Sequence, residues 1–160
     1  YDKFYSDAGA LDRYYGSKRL GFYTSVVESV VKARVCLDGN NVLDCGCGVG
    51  YLIAEVSKRC RPKLLTGTDF SEAAVNASKN KFPEYKFYRH DIMDPLIDKH
   101  DVIFCTEVLE HILDPFLALQ NLVNALNPGG VLVLTVPDGR VDTINEHINF
   151  WSRESWKIIL

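Results

Sequence analysis

No stretch of this sequence reaches the roughly 18 consecutive apolar residues that span a bilayer, so no membrane-crossing helix is expected. A basic stripe is missing as well. Eighteen Lys and Arg stand against 21 Asp and Glu, a formal net charge of −3, which argues against a nucleic-acid face. Paired cysteines are also lacking. The five cysteines, Cys36, Cys45, Cys47, Cys60 and Cys105, are odd in number, and Cys45 and Cys47 form a lone C-x-C without a second pair. Neither a disulfide framework nor a zinc site follows from that spacing, and a reducing compartment fits it. Tyr1-Asp2-Lys3 does not open a secretory leader, so the expected location is cytoplasmic. Repeats, linkers and low-complexity tracts are absent. What is present is an ordinary globular composition, 47% hydrophobic and 24% charged over 160 residues. That length suits one domain able to bury a core without disulfides or metal.

Periodicity then organises the chain. Residues 1–17 are aromatic and polar, with tyrosines at 1, 5, 14 and 15. From Lys18 to Arg34, apolar residues at 20, 23, 26, 27, 30 and 31 predict an amphipathic helix, broken at Asp38-Gly39. Short apolar runs at 41–45, 63–69, 85–89, 101–105 and 131–136 read as strands. Helical stretches at 51–59, 71–80 and 115–126 lie between them, the second capped by Ser71 and the third stopped by Pro128-Gly129-Gly130. Strands alternating with helices predict a parallel sheet with right-handed crossovers and helices on both faces. A further helix is expected at 153–160, carrying Trp156, Ile158 and Ile159 toward a packing partner beyond the sequence.

The chemistry concentrates at strand ends. Asp44-Cys45-Gly46-Cys47-Gly48-Val49-Gly50 closes the first strand and opens a helix. Glycines there let the backbone turn sharply and approach a ligand, and the helix N-terminus behind them favours negative groups such as a carboxylate. A dinucleotide fingerprint places its third glycine one position later, where Tyr51 stands. Asp44 would also repel a pyrophosphate, whereas it suits a ligand bearing an ammonium and a sulfonium. Asp69 ends the second strand, where a carboxylate accepts from ribose hydroxyls. Asp91 follows the third, placed to accept from an adenine amino group with Ile92 against the ring; a plain turn aspartate is the alternative.

This ordered set resembles the class I S-adenosylmethionine-dependent methyltransferases. The resemblance rests on Val42 to Gly50, Gly67-Thr68-Asp69, His90-Asp91-Ile92, Asp101 to Cys105 followed by Glu107-Val108-Leu109-Glu110-His111, and Leu126 to Gly130. It covers residues 20 to 137. It implies a three-layer Rossmann-like sandwich of seven strands, the last two an antiparallel pair that this sequence does not reach. The implied division is a helical cap at 1–40, a cofactor core at 41–137 and the start of a substrate-side segment at 138–160. The implied cofactor is S-adenosylmethionine, leaving as S-adenosylhomocysteine. Gly46, Gly48 and Gly50 would border its methionine part and Asp44 its ammonium. Asp69 would hold the ribose, Phe70, Asp91 and Ile92 the adenine, and Thr106 and Glu107 the sulfonium. Tyr14 or Tyr15 would close over it.

On a helical turn Glu107, Glu110 and His111 would share a face and act as base and orienting carboxylate. The segment resembles the E-x-x-E-H stretch of ubiquinone-pathway O-methyltransferases, where such residues are associated with magnesium. A hard divalent ion is the lesser alternative here and no metal is assigned, while pairing between Glu110 and His111, or capping, is the structural one. His147 is a second base candidate, with Phe150 and Trp151 as pocket walls or core. The function expected is methyl transfer to a small-molecule, lipid or sugar-linked acceptor, with oxygen the acceptor atom considered first. RNA or protein methylation, or a silent cofactor-binding module, stands as the alternative. Cys105-Thr106-Glu107-Val108 lacks the Asn-Pro-Pro-Tyr-type tetrad of amino-directed enzymes.

Overall fold

Alternating burial along two strands organises the molecule. In β1 (Asn41–Cys45), Val42 enters one apolar cluster while Leu43 and Cys45 enter another. In β4 (His100–Thr106), Val102 and Phe104 join the first and Ile103 and Cys105 the second. Strands apolar on both faces belong at the centre of a parallel sheet. The computed structural model describes residues 2–159, apart from the side chains at 2, 3, 8, 12 and 157–159. Its order is α1 (Asp2–Tyr5), α2 (Ala8–Tyr14), α3 (Ser17–Lys32), β1, α4 (Tyr51–Arg59), β2 (Leu64–Asp69), α5 (Glu72–Lys81), β3 (Lys86–Arg89), β4, a 3-10 turn (Leu109–His111), α6 (Pro115–Asn124), β5 (Leu126–Thr135) and α7 (Arg153–Ile159).

The sheet runs β3-β2-β1-β4-β5 with every pairing parallel. One face carries α3 and α4, through Val26, Val27, Val30, Leu52 and Val56. The other carries α6, through Ala118, Leu119 and Leu122. This is the parallel sheet with helices on both faces that the alternation predicts, and the Rossmann-like sandwich that the resemblance implies. Helix starts follow local chemistry: Ser71 accepts from Ala74 N at 3.1 Å, and Asp114 accepts from Leu117 N at 3.0 Å with Pro115 behind it. No helix among the described residues is long and apolar enough to cross a membrane.

Two segments differ from their sequence pattern. Strand β5 starts at Leu126 rather than 131, because His100 pairs with Leu126 and Val102 with Val131, an irregular register that absorbs Asn127 to Gly130. Residues 2–14, which have no helical period, form two short helices, the second capped by Asp7 on Ala10 N at 3.0 Å. In α7, Trp156 packs on Trp151 with ring centroids 5.1 Å apart, beside the α6 cluster. The side chains of Ile158 and Ile159 lie outside the described residues.

His100 is 2% exposed and neither ring nitrogen has a hydrogen-bond partner. Burial holds its pKa below the usual value, so protonation favours the unfolded chain. Stability from neutral His100 is complete above that usual value of 6.5 and falls as pH drops below it. His100→Leu is expected to stabilise the fold by about 1–3 kcal/mol and to flatten this acid limb. Denaturant titrations on both sides of the histidine range measure it; an unaltered acid limb would assign the loss to other groups.

Candidate functional site

Chain order places the cleft. Strands β2 and β3 run outward on one side of β1, and β4 and β5 on the other, so the carboxyl ends of β1 and β4 flank the reversal where such sheets bind ligands. Immediately after β1 the backbone bends back. Gly46 and Cys47 both donate to the Thr68 carbonyl at 2.8 Å, which ties the bend to β2. Gly46 and Gly48 adopt positive φ, 80° and 53°, the region that favours glycine. A Cβ at Gly46 would lie 2.3 Å from Val108 Cγ2, and one at Gly48 would lie 2.3 Å from the Tyr15 hydroxyl. The residue covering the bend is therefore the buried Tyr15, whereas Tyr14, 45% exposed, lies against Arg19.

Three charged groups belong to the candidate site, one on β1, one at the end of β2 and one on α3. Asp44 is 2% exposed and its Oδ1 has no partner; burial, then the Asp69 charge, pushes its pKa to about 8. Arg19, on α3, stacks over Tyr14 at 4.9 Å and Tyr23 at 5.5 Å, with Nε buried and unpartnered. Tyr23 lies close enough to feel both the Arg19 and Asp44 charges. Asp69 accepts from Gly48 N at 2.8 Å and Ser71 N at 2.9 Å, bracing the bend against the start of α5. A carboxylate accepts up to about four hydrogen bonds, so bracing is compatible with a ribose contact.

On the side expected to meet adenine, Phe70 is 55% exposed with the Arg89 guanidinium 5.5 Å over its ring. Asp91 accepts from Met93 N at 2.9 Å, as a turn aspartate does. Ile92 is buried in the α6-side cluster and its carbonyl accepts from Asn121 Nδ2 at 3.1 Å. It is part of the core, so any ring contact would use only its outer edge. Thr106 is buried at the end of β4.

Beyond β4 the arrangement departs from the expected helical face. Glu107 sits at φ 57°, before the 3-10 turn begins, and its carboxylate lies 3.9 Å from Arg19 Nη1. It stands outside the turn that holds Glu110 and His111, although its charge reaches both. Those two instead meet His147 from the loop after β5, each of the three bringing one candidate ligand atom within 4.8 Å of the others. The loop is clasped to the turn by its backbone. Ile148 N and Asn149 N donate to the Glu110 carbonyl at 2.8 and 3.1 Å. Asn149 Nδ2 donates to the carbonyls of Leu109 and Ile112 at 3.2 and 2.6 Å. The His111 ring meets the Glu146 carbonyl through Nδ1 at 3.1 Å, and His147 Nδ1 pairs with buried Asp142. The two imidazoles meet edge to face, centroids 4.6 Å apart. Burial raises the Glu110 carboxyl to about 8 and lowers the His111 imidazole. Phe150 is half exposed, and Trp151, partly buried, packs against the α6-side cluster.

Three residues of this site are missing from the sequence reading: Arg19, Asp142 and Asn149. Arg19 had a signal, a charge at the helical spacing of Tyr23, Val26 and Val30 on an otherwise apolar face. Asp142 and Asn149 had none, since an irregular loop has no period.

Residues 15–160 match a family described as a methyltransferase domain. A ubiquinone biosynthesis O-methyltransferase of Coxiella burnetii is 32% identical over 108 residues, 64% of this chain and 45% of that protein. A trans-aconitate 2-methyltransferase of Variovorax paradoxus is 33% identical over 111 residues, 68% of this chain and 43% of that protein. The chain thus spans less than half the length of these relatives. Magnesium protoporphyrin IX methyltransferase from Synechocystis, solved with S-adenosylmethionine bound, has the same fold: TM-score 0.74 at 22% identity, over 99% of this chain and 81% of that one.

Proposed function

Because the chain belongs to the methyltransferase-domain family, we propose that it binds S-adenosylmethionine across the carboxyl ends of β1, β2 and β4 and methylates an oxygen of a small-molecule acceptor. The observation that carries this reading is two buried polar groups without partners, one on β1 and one on α3. Asp44 offers a buried carboxylate oxygen without a partner, and Arg19 a buried N–H without one. An amino acid's ammonium and carboxylate answer that pair, whereas a pyrophosphate brings no cation to Asp44. When bound, S-adenosylmethionine supplies a methyl group on a sulfonium, displaced in line, so that alignment provides much of the rate.

The remaining roles belong to the chain. Gly46 and Gly48 bring the backbone close to the methionine part, and Tyr15 closes over it. Asp69 receives the ribose hydroxyls; Phe70 and Asp91 border the adenine. Thr106 and Glu107 flank the sulfonium. Glu110, His111 and His147 face the acceptor and lower the cost of removing its hydroxyl proton. The similar proteins named for small acceptors, ubiquinone precursors by pathway and trans-aconitate, support an acceptor of that size. A reducing, cytoplasmic setting is supported by five unbridged cysteines, Cys36 exposed among them.

Calorimetric titration tests the reading. Micromolar binding of S-adenosylmethionine and S-adenosylhomocysteine, without heat from NAD, is the expected result; tight NAD binding with no response to either would overturn it. In the same titration Asp69→Ala should weaken cofactor binding by about 1.5–3 kcal/mol, as for loss of a charged hydrogen-bond partner. Unchanged affinity in the folded variant would remove the ribose role.

A further inference from the structure

At the junction of α2 and α3 lies an open pocket of about 480 Å³, lined in part by Arg13, Tyr14, Lys18, Arg19 and Phe22. No acidic side chain lines it among the described residues. Three cations gathered without an acid repel one another, so the pocket favours an anion. Arg19 is the fixed member. Its guanidinium lies 4.9 Å from the Tyr14 ring centroid and 5.1 Å from that of Phe22, with Nη1 3.9 Å from Glu107. Stacking of this kind holds a guanidinium in place before a ligand arrives. Glu107 offsets that one charge. Arg13 and Lys18 are exposed and have no ion-pair partner among the described residues. Asp7, which like Arg13 lies near Gly9, is engaged in capping α2 on Ala10 N.

The pocket adjoins the acidic turn assigned to the acceptor. Arg19 joins its wall to Glu107, and Tyr14 lies close enough to feel the charges of both Glu107 and Glu110. We propose that this pocket holds an anionic group of the methyl acceptor, carboxylate or phosphate, with Arg13 and Lys18 as its cationic ligands and Tyr14 and Phe22 as apolar walls. Its volume and its few convergent charges suit a small organic anion. The inference rests on the methyl-transfer reading and names the acceptor's chemical class. Arg19 is shared: its buried Nε serves the cofactor in that reading, and its stacked guanidinium forms the wall of the pocket.

The test follows backbone amide NMR shifts as phthalate, phenyl phosphate or uncharged phthalamide is added, with and without saturating S-adenosylhomocysteine. Saturable shifts over residues 13–22 with at least one anion, and none with phthalamide, are expected. Which anion binds distinguishes carboxylate from phosphate. Arg13→Gln and Lys18→Gln should each weaken that binding by about 10-fold, and the double variant by about 100-fold, as for loss of charged hydrogen-bond partners. Both side chains are exposed, so the variants should fold. The charge-matched control Lys32→Gln, in the last turn of α3, should bind as the unaltered chain does. No saturable shift, equal binding of phthalamide, unchanged affinity in the double variant, or an equal loss in Lys32→Gln would overturn the pocket. S-adenosylhomocysteine should bind alongside the anion; competition between them would place the anion in the cofactor's carboxylate subsite and overturn the acceptor role. Anion binding without any response to S-adenosylhomocysteine removes the cofactor reading, and the acceptor role with it. Binding of S-adenosylhomocysteine without anion binding removes the pocket only.

Discussion

Asp44→Asn is expected to make the chain more stable and, in the same protein, a much poorer binder of S-adenosylmethionine. The two effects have one cause. Asp44 is buried at the end of β1 with an unpartnered oxygen, and burial together with Asp69 holds its carboxyl at about 8. A folded-state pKa raised above the unfolded value means that the folded chain binds the extra proton. Stability is then complete below the unfolded value of 3.8 and is lost as pH rises toward about 8. At neutral pH the cost is on the order of 4 kcal/mol. Asparagine removes the charge and with it the slope. Ligand binding moves the other way, because an ammonium would sit on the ionised carboxylate. Affinity for the cofactor should rise with pH across the same window, and Asp44→Asn should cost about 2–5 kcal/mol of binding, as when one partner of a buried charge pair is removed. Thermal melts and calorimetry at matched pH measure both. A variant that gains no stability, or that binds unchanged, would show that the carboxylate answers some other group.

His147→Ala is expected to lower methyl transfer by about 10²–10⁴-fold, the usual contribution of a positioned proton-transfer group, while cofactor binding persists. His147 reaches the cleft from the loop after β5, held by Asp142 on one side and by the clasp of Asn149 on the 3-10 turn. In the proposed reading it serves the acceptor and Asp44 the cofactor, so the two effects should separate in kinetics. Asn149→Ala should have a smaller effect of the same kind, because it loosens the loop without removing a reacting group. Single-turnover assays on acceptors bearing a hydroxyl or carboxyl, with cofactor affinity measured in parallel, give the comparison. Full turnover in His147→Ala would return that histidine to a structural role.

The stability effect at Asp44 and the turnover effect at His147 differ in how far their origin could be read from the chain. Asp44 was legible because its position is local. It closes an apolar strand and precedes three glycines, and the positive φ values of Gly46 and Gly48 follow from rules that span a few residues. The cluster around His147 was not. His111 and His147 are 36 positions apart and were separate candidates, and nothing in a loop's composition places Asp142 behind one of them.

The sequence alone determined the elements, their alternation and the acids at the strand ends, since these depend on periodicity and on backbone rules acting over short spans. Only the tertiary structure decided which side chains meet. Glu107 stands outside the turn of Glu110 and His111 and pairs with Arg19, because its backbone turns to φ 57° before the 3-10 helix begins. Tyr15 rather than Tyr14 covers the bend, because neighbouring positions on a helical path point about 100° apart. Ile92 enters the core beneath α6. Each outcome depends on how distant segments pack against one another, and no pattern along the chain encodes that.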